Sequence, residues 1–470
     1  MAESMLSVYR PAASICGPAM LFLLAWGLAG LPARASSEIV LSGRLTLDYA
    51  VKVAIDNNLD LKSAYQQREI ARGRRLEAWG EALPKINLNG LYEYTGKTPG
   101  IEDEATGQFV PFGANSNASL DLSLTQPIWQ GGKGAAALRA SKLYRSFTEE
   151  ELRAAVQAVV YRTSLAYWTA IVGAEEQSVA ENSLRLAATH LKDVETKKKF
   201  GVASEFNVLR SQVEVSNATA ESIVFKNRVH LARTELFRVM GVSQDSEVEL
   251  ADALEYAPLD AIETDELRVA LAQRPEIALA DYNARLHKEA VAVAKSEFSP
   301  RIEAFLGATY ATPNPSILNV NEFGSQWRAG VTLAFPVFDG LARKGRLIQE
   351  KARLTQSEIQ ADDARERARS DVRGALFTLE DAAEAVDSQK KTVDQANEGL
   401  RLAEVGYREG TLDQVAVIDA RAALTRAQLL YRQSVYRHVV AKIDLERVRG
   451  TLGAAFQPAG TTTAAADSGR

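Results

Sequence analysis

The feature that most constrains this chain is that its pattern occurs twice. Ala54-Ile55-Asp56-Asn57-Asn58-Leu59-Asp60-Leu61 corresponds to Ala270-Leu271-Ala272-Gln273-Arg274-Pro275-Glu276-Ile277, 216 residues later. The same offset carries Pro84-Lys85-Ile86 onto Pro300-Arg301-Ile302. Further on the offset becomes 209: Gln126-Pro127-Ile128-Trp129-Gln130-Gly131 matches Phe335-Pro336-Val337-Phe338-Asp339-Gly340, and Gly201-Val202-Ala203-Ser204 matches Gly410-Thr411-Leu412-Asp413. The change puts a longer loop in the first half, between about 95 and 118. Ordered matches along the whole length indicate a tandem duplication, so whatever one half builds is built twice.

Each half reads helix, strand, loop, strand, long helix, turn, helix. The strands alternate. Ile86, Leu88, Tyr92 and Tyr94 fall on one face, with Lys85, Asn87, Asn89 and Glu93 on the other. Leu120, Leu122, Leu124 and Ile128 oppose Ser119, Asp121, Ser123 and Thr125. The second half repeats this with Ile302, Ala304, Leu306, Ala308 and Tyr310, then with Trp327, Ala329, Val331, Leu333 and Phe335. Segments of about ten residues with period-two polarity and terminal aromatics suit a barrel wall between lipid and a watery lumen. Such a barrel needs about eight strands at least, and one chain supplies four, so copies must share a barrel. Two copies give eight strands and a filled interior; three give twelve and a passage.

The helices are too long for a globular core. From about 131 to 200 no proline interrupts a stripe that includes Leu152, Val156, Val159, Ala166 and Ala170. Some seventy residues at ~1.5 Å each span roughly 100 Å. In the second half Val372, Leu379, Val386, Val393 and Leu400 recur at every seventh position, with Leu376 and Ala383 between them and Lys390 and Asn397 as interruptions. That is a coiled-coil seam with polar breaks. Lys197, Lys198 and Lys199 complement a helix C-terminus before the stop at Gly201, and Ser204 is placed to cap the next helix. Gly410 is the second stop, with Thr411 and Gln414 at capping-box spacing.

Residues 20–31 form a short apolar run preceded by Arg10 and followed by Ala33-Arg34-Ala35, which reads as a secretory leader cleaved between Ala35 and Ser36. The only cysteine, Cys16, lies before that run, which argues against a lipid-modified cysteine and excludes a disulfide framework. A formal charge of −5 argues against nucleic acid as a partner. His190, His230, His287 and His438 are too scattered for a metal motif, and neither a nucleophile elbow nor a phosphate loop is present. No catalytic, cofactor or metal site is expected, and the chain reads as a non-enzyme.

The duplication, the Pro84 and Pro300 strand starts, the two glycine turns and segments such as Val417-Ile418-Asp419-Ala420 together resemble the TolC-like outer-membrane efflux proteins, from Leu45-Thr46-Leu47 to Leu452. The resemblance implies a mixed α and β membrane protein in the cell outer membrane. It would be a homotrimer with a 12-stranded barrel, four strands per chain, continued by a long periplasmic α-helical barrel and a partial belt near residues 242–262. It also implies passive conduction of solutes or polypeptides, as the exit duct of a tripartite efflux pump or type I secretion system. The partners would be a periplasmic adaptor, an inner-membrane pump or ABC exporter, and outer-membrane lipid. The expected organisation is a leader (1–35), a first repeat (36–256), a second repeat (257–453) and a flexible tail (454–470).

By the same likeness the tips at Gly201, Val202 and Ala203 and at Gly410, Thr411 and Leu412 are candidates for adaptor contact. Asp419 matches an aspartate that the family often places at the constricted tunnel end. In the best-known members a second aspartate sits three residues earlier; here Ala416 stands there. Their tip lock joins a tyrosine and an arginine to an aspartate. Tyr407 fits the tyrosine, but Leu412 replaces the arginine and Asn207 the aspartate, so a charged lock of that kind is not expected. The competing reading is a periplasmic coiled-coil adaptor, which would carry one helical hairpin among β-rich modules, not two matched sets of amphipathic strands.

Overall fold

The computed structural model describes residues 39–96, 100–102, 105–111, 115–259, 261–316 and 322–456. The leader with its Ala35–Ser36 cleavage site, and residues 457–470 of the expected tail, lie outside the described residues.

The duplication is visible in the element boundaries. In the first half β1 (Ser42–Leu45) leads into α1 (Leu47–Asn57) and α2 (Leu59–Gly80), and these are followed by β2 (Lys85–Tyr94). A small hairpin, β3 (Gly100–Glu102) with β4 (Phe109–Pro111), lies in the longer loop before β5 (Ser116–Trp129). Then come α3 (Lys133–Lys199), α4 (Glu205–Met240) and β6 (Glu247–Leu250). The second half supplies α5 (Glu263–Gln273), α6 (Pro275–Ser296), β7 (Arg301–Thr312), β8 (Gly324–Ala334), α7 (Ala342–Arg408) and α8 (Gln414–Val448). Helices α5 and α6 repeat the bounds of α1 and α2 shifted by 216, and α7 repeats those of α3 shifted by 209.

The leading helix of each half, read from sequence as one, is divided. Asn58 ends α1 and caps α2 by accepting from Leu61 N (3.1 Å), and its own amide nitrogen donates to Val239 O (2.8 Å). In the second half the break falls at Arg274 before Pro275, which occupies the first helical turn, where its missing N–H is tolerated. The Arg274 guanidinium meets Asp371 Oδ2 at 2.9 Å.

The four long strands form one antiparallel sheet in the order β2-β5-β7-β8, so the halves join at its centre through β5 and β7. The register turns the sequence alternation into two faces. Leu122 lies opposite Leu88 on one side and Ala308 on the other, and Ala308 lies opposite Trp327. On the reverse face Asp121 lies opposite Asn89 and Thr309, and Thr309 donates to Asp121 Oδ1 (2.6 Å). One face is apolar and the other polar. Among the described residues the outer edges of β2 and β8 have no strand partner. Among the described residues no helix is long and apolar enough to cross a membrane.

The core lies away from the sheet, where parallel strands β1 and β6 pack on α3. Tyr167 is fully buried there; its hydroxyl donates to Asp252 Oδ2 (2.7 Å) and lies 2.9 Å from Leu45 O. Asp252 Oδ2 also accepts from Leu47 N (2.8 Å). Burial and the neighbouring carboxylate push the Tyr167 hydroxyl pKa up. Ala454–Phe456 form a short 3-10 turn after buried Leu452.

Candidate functional site at the helical tips

Both helix-to-helix turns stop by the same device. Gly201 (φ +74°) donates to Lys198 O (2.9 Å) and Val202 N to Lys197 O (2.9 Å). At the second tip Gly410 (φ +73°) donates to Tyr407 O (3.3 Å) and Thr411 N to Gly406 O (2.9 Å). These are paired Schellman bonds, which need a residue in the left-handed region and so favour glycine. Ser204 caps α4 by accepting from Asn207 N (3.3 Å).

The second cap differs from the Thr411–Gln414 box read from sequence. Asp413 is the capping residue, accepting from Ala416 N (3.0 Å), while the Thr411 hydroxyl donates back to Gly406 O (3.1 Å). Gln414 is thereby released to point inward. Only 5% exposed, its Nε2 lies 2.6 Å from Ser211 Oγ and 3.3 Å from both Asn207 O and His190 Nε2. One side chain of α8 therefore ties the second hairpin to both helices of the first.

Tyr407 joins this cluster from α7. Its ring takes Lys197 Nζ at 4.3 Å and meets the buried His190 ring edge-on at 6.3 Å. Burial pushes the His190 pKa down to about 4, assisted by Arg421 and Lys197, while Asp193 and Glu404 act the other way. Arg421 pairs with Glu404 (3.3 Å), leaving its Nε and Nη1 buried without partners, as are Gln414 Oε1 and Glu214 Oε2. Burial raises the Glu214 carboxyl pKa, with Arg421 opposing. The site is well buried but incompletely paired, which marks a junction under less than full polar satisfaction.

The residues singled out from sequence divide into two groups. Tyr407 and Asn207 are brought together, Asn207 through its backbone carbonyl. Asp419 stands apart, exposed and among the described residues in no ion pair, on a turn of α8 whose Arg421 reaches Glu404 instead. Gly201, Val202, Gly410, Thr411 and Leu412 are exposed at the two tips, and Ala203 is half-buried. Val202 is 75% exposed beside equally open Phe200 and Phe206, two aromatic residues that the turn glycines alone did not reveal. His190, Ser211 and Gln414 were also missed. Only the 209-residue offset hinted at them, since Gln414 stands where Glu205 does and so breaks the repeat.

Above the tips, α4 and α8 wall a groove of about 840 Å³ with Ser183 of α3 among its lining residues. Phe206, Leu209, Val213, Ile418 and Leu429 make it largely apolar. Among the described residues no cluster of His, Cys, Asp or Glu could hold a metal ion.

A family model described as "Outer membrane efflux protein" matches residues 50–242 and 267–451, one segment in each half. The probable outer membrane lipoprotein SilC of Salmonella typhimurium is 24% identical over 401 residues, covering 83% of each chain. The outer membrane protein TolC of Escherichia coli K12 is 21% identical over 422 residues, 84% of this chain and 80% of that one. Among solved structures, the CmeC outer membrane channel of Campylobacter jejuni superposes with a TM-score of 0.74 at 18% identity, covering 86% of this chain and 85% of that one. The fold is thus that of the outer-membrane channels.

Proposed function

The chain belongs to the outer membrane efflux protein family, and we propose that it is the exit duct of a tripartite export system: three copies forming one 12-stranded outer-membrane barrel and a periplasmic helical tunnel. The observation that carries this reading is the four-stranded sheet. It is apolar on one face and polar on the other, both edges lack strand partners among the described residues, and it is continuous with 67-residue helices. Lipid cannot satisfy open strand edges, so only closure with further strands makes such a sheet stable in a membrane. The adaptor alternative is not favoured, because the family match runs through both halves and each half contributes a pair of these strands.

In this reading the tips meet a periplasmic adaptor, and the inner-membrane pump supplies the energy. The exposed Phe200, Val202 and Phe206 support contact at the first tip, with Thr411 and Leu412 flanking it at the second. Asp419, exposed near the narrow end and repeated three times about the axis, forms an acidic ring that attracts cations. Tyr407 and Asn207 act in the closed state through the His190–Gln414 junction and not through a charged lock.

The test is to purify the chain from outer membranes and record currents in planar bilayers. A channel with cation preference that weakens in Asp419→Ala is expected. Unchanged selectivity removes that residue from the gate. A chain released from membranes without detergent, with no conductance, defeats the duct reading itself.

A further inference from the structure

Duplication supplies its own control for a cavity between α2 and α3. The cavity has a volume of about 650 Å³, and its lining includes Arg68, Arg72 and Arg75 of α2 and Arg145 of α3. Against these four cations the lining carries two acids, Glu69 and Glu149. Arg68 pairs with Glu149 (3.2 Å) and Arg72 with Glu69 (3.6 Å). Arg75 and Arg145 are exposed and, among the described residues, make no ion pair or hydrogen bond. The neighbouring Arg74 is engaged elsewhere, its guanidinium 4.2 Å from the centre of the Tyr144 ring. In the second half the copies of the four arginines are Ala284, Lys288, Val291 and Leu354, and Val291 is buried. The same scaffold is thus packed with apolar side chains in one half and lined by guanidinium groups in the other.

We propose that this cavity binds a phosphate group, either in the headgroup of an anionic lipid or free in solution. Arg68, Arg72 and Arg75 stand at i, i+4 and i+7, so their charges add on one face of α2 instead of encircling it. A cavity of that volume is about one Debye length across, so its like charges repel with little screening. The two acids of the lining offset two of them, and a bound phosphate offsets the rest. Guanidinium forks match phosphate oxygens in shape as well as charge, through paired N–H donors.

The continuation of that helix face suits a headgroup. Leu76 and Trp79, nearer the sheet, are exposed apolar side chains, and α2 ends at Gly80, five residues before β2 begins. Arg75 and Arg72 lie about 8 and 12 Å short of the helix end. On the exit-duct reading, this is a tryptophan at the periplasmic membrane boundary with cations beneath it, an order that favours anionic headgroups. The phosphate site itself does not depend on that reading.

The full chain, purified in nonionic detergent without phosphate, tests the site by thermal unfolding and calorimetric titration. Inorganic phosphate, or mixed micelles containing phosphatidylglycerol, should raise the wild-type Tm beyond the effect of sodium chloride at equal ionic strength. Arg75→Gln with Arg145→Gln should weaken that binding about tenfold or more. Arg75→Lys, which keeps the charge and loses the fork, should fall between. Arg285→Gln with Lys288→Gln, at the copied positions of Glu69 and Arg72, should bind as the wild type does. Binding of phosphate with phosphatidylglycerol inert assigns the free anion. Phosphatidylglycerol displacing phosphate, with phosphatidylcholine inert, assigns the headgroup; either result supports the site. No saturable binding of either probe, or binding undiminished in the Arg75–Arg145 double variant, overturns it. Currents in planar bilayers should be alike for that variant and the wild type. Failure of the duct reading would therefore appear as absent wild-type conductance, and failure of the site as absent binding.

Discussion

Gln414 and Glu205 open two copies of one helix, yet they meet opposite surroundings. Gln414 is buried and reaches Ser211, Asn207 and His190 across the junction of the two hairpins. Glu205 is exposed and forms an ion pair with Lys198 of its own hairpin. The partners differ in parallel: the copies of His190, Ser211 and Asn207 are Gly399, Ala420 and Ala416, none able to complete such a cluster through its side chain. Duplication supplied two identical scaffolds, and substitution gave one flank a polar latch while leaving the other bare. A helix start with strong tertiary partners thus tolerates change least where its copy tolerates it most.

The comparison breaks most readily at Gln414. Gln414→Ala removes the buried donor that reaches Ser211 Oγ and Asn207 O, although the Ser211 hydroxyl keeps its own bond to Asn207 O (3.1 Å), and should cost about 1–3 kcal/mol, read as lost hydrogen-exchange protection in the first turns of α8. Equal protection in the variant would mean that the latch contributes nothing.

A second contrast lies in the core. Tyr167 is copied as Leu376, so this hydroxyl tie from the long helix to Leu45 and Asp252 has no counterpart at the copied position in the second half. Tyr167→Phe should lower stability by about 1–2 kcal/mol, with protection lost first around β1 and β6. A uniform loss across both halves would contradict a local tie.

Acidification separates the flanks by charge. The folded-state pKa of His190 is about 4, below the ordinary 6.5, so the unfolded chain binds a proton first as pH falls. Its contribution is fully present above pH ~6.5, declines through the window down to about 4 and is then lost. His190→Gln should flatten that part of the stability–pH curve measured by denaturant titration, whereas an unaltered curve would assign the slope to other groups.

The smallest effect belongs to the exposed pair. Lys198→Met or Glu205→Gln should change stability by less than ~0.5 kcal/mol, and added salt should erase the difference. A larger loss would show that this flank is also latched.

Legibility followed the range of the forces involved. The alternation of Leu120, Leu122 and Leu124 and the glycine stops at Gly201 and Gly410 were readable because strand faces and helix ends depend on neighbours a few residues away. The Thr411–Gln414 box had the right spacing but lost to Asp413, since a buried bond to Ser211 draws Gln414 out of capping. Phe200 and Phe206 drew no notice because apolar residues beside a helix stop ordinarily face a core.

By itself the sequence determined that the chain is a duplication, that each half contributes two amphipathic strands, and that its helices run far beyond globular length. Those properties are periodicities, carried by every residue in a stretch. Only the tertiary structure decided that Gln414 and His190, 224 residues apart, share one junction while Asp419 stands clear of it. A single side-chain contact at that separation leaves no period in the sequence; it exists only once two hairpins have packed at a definite angle and depth.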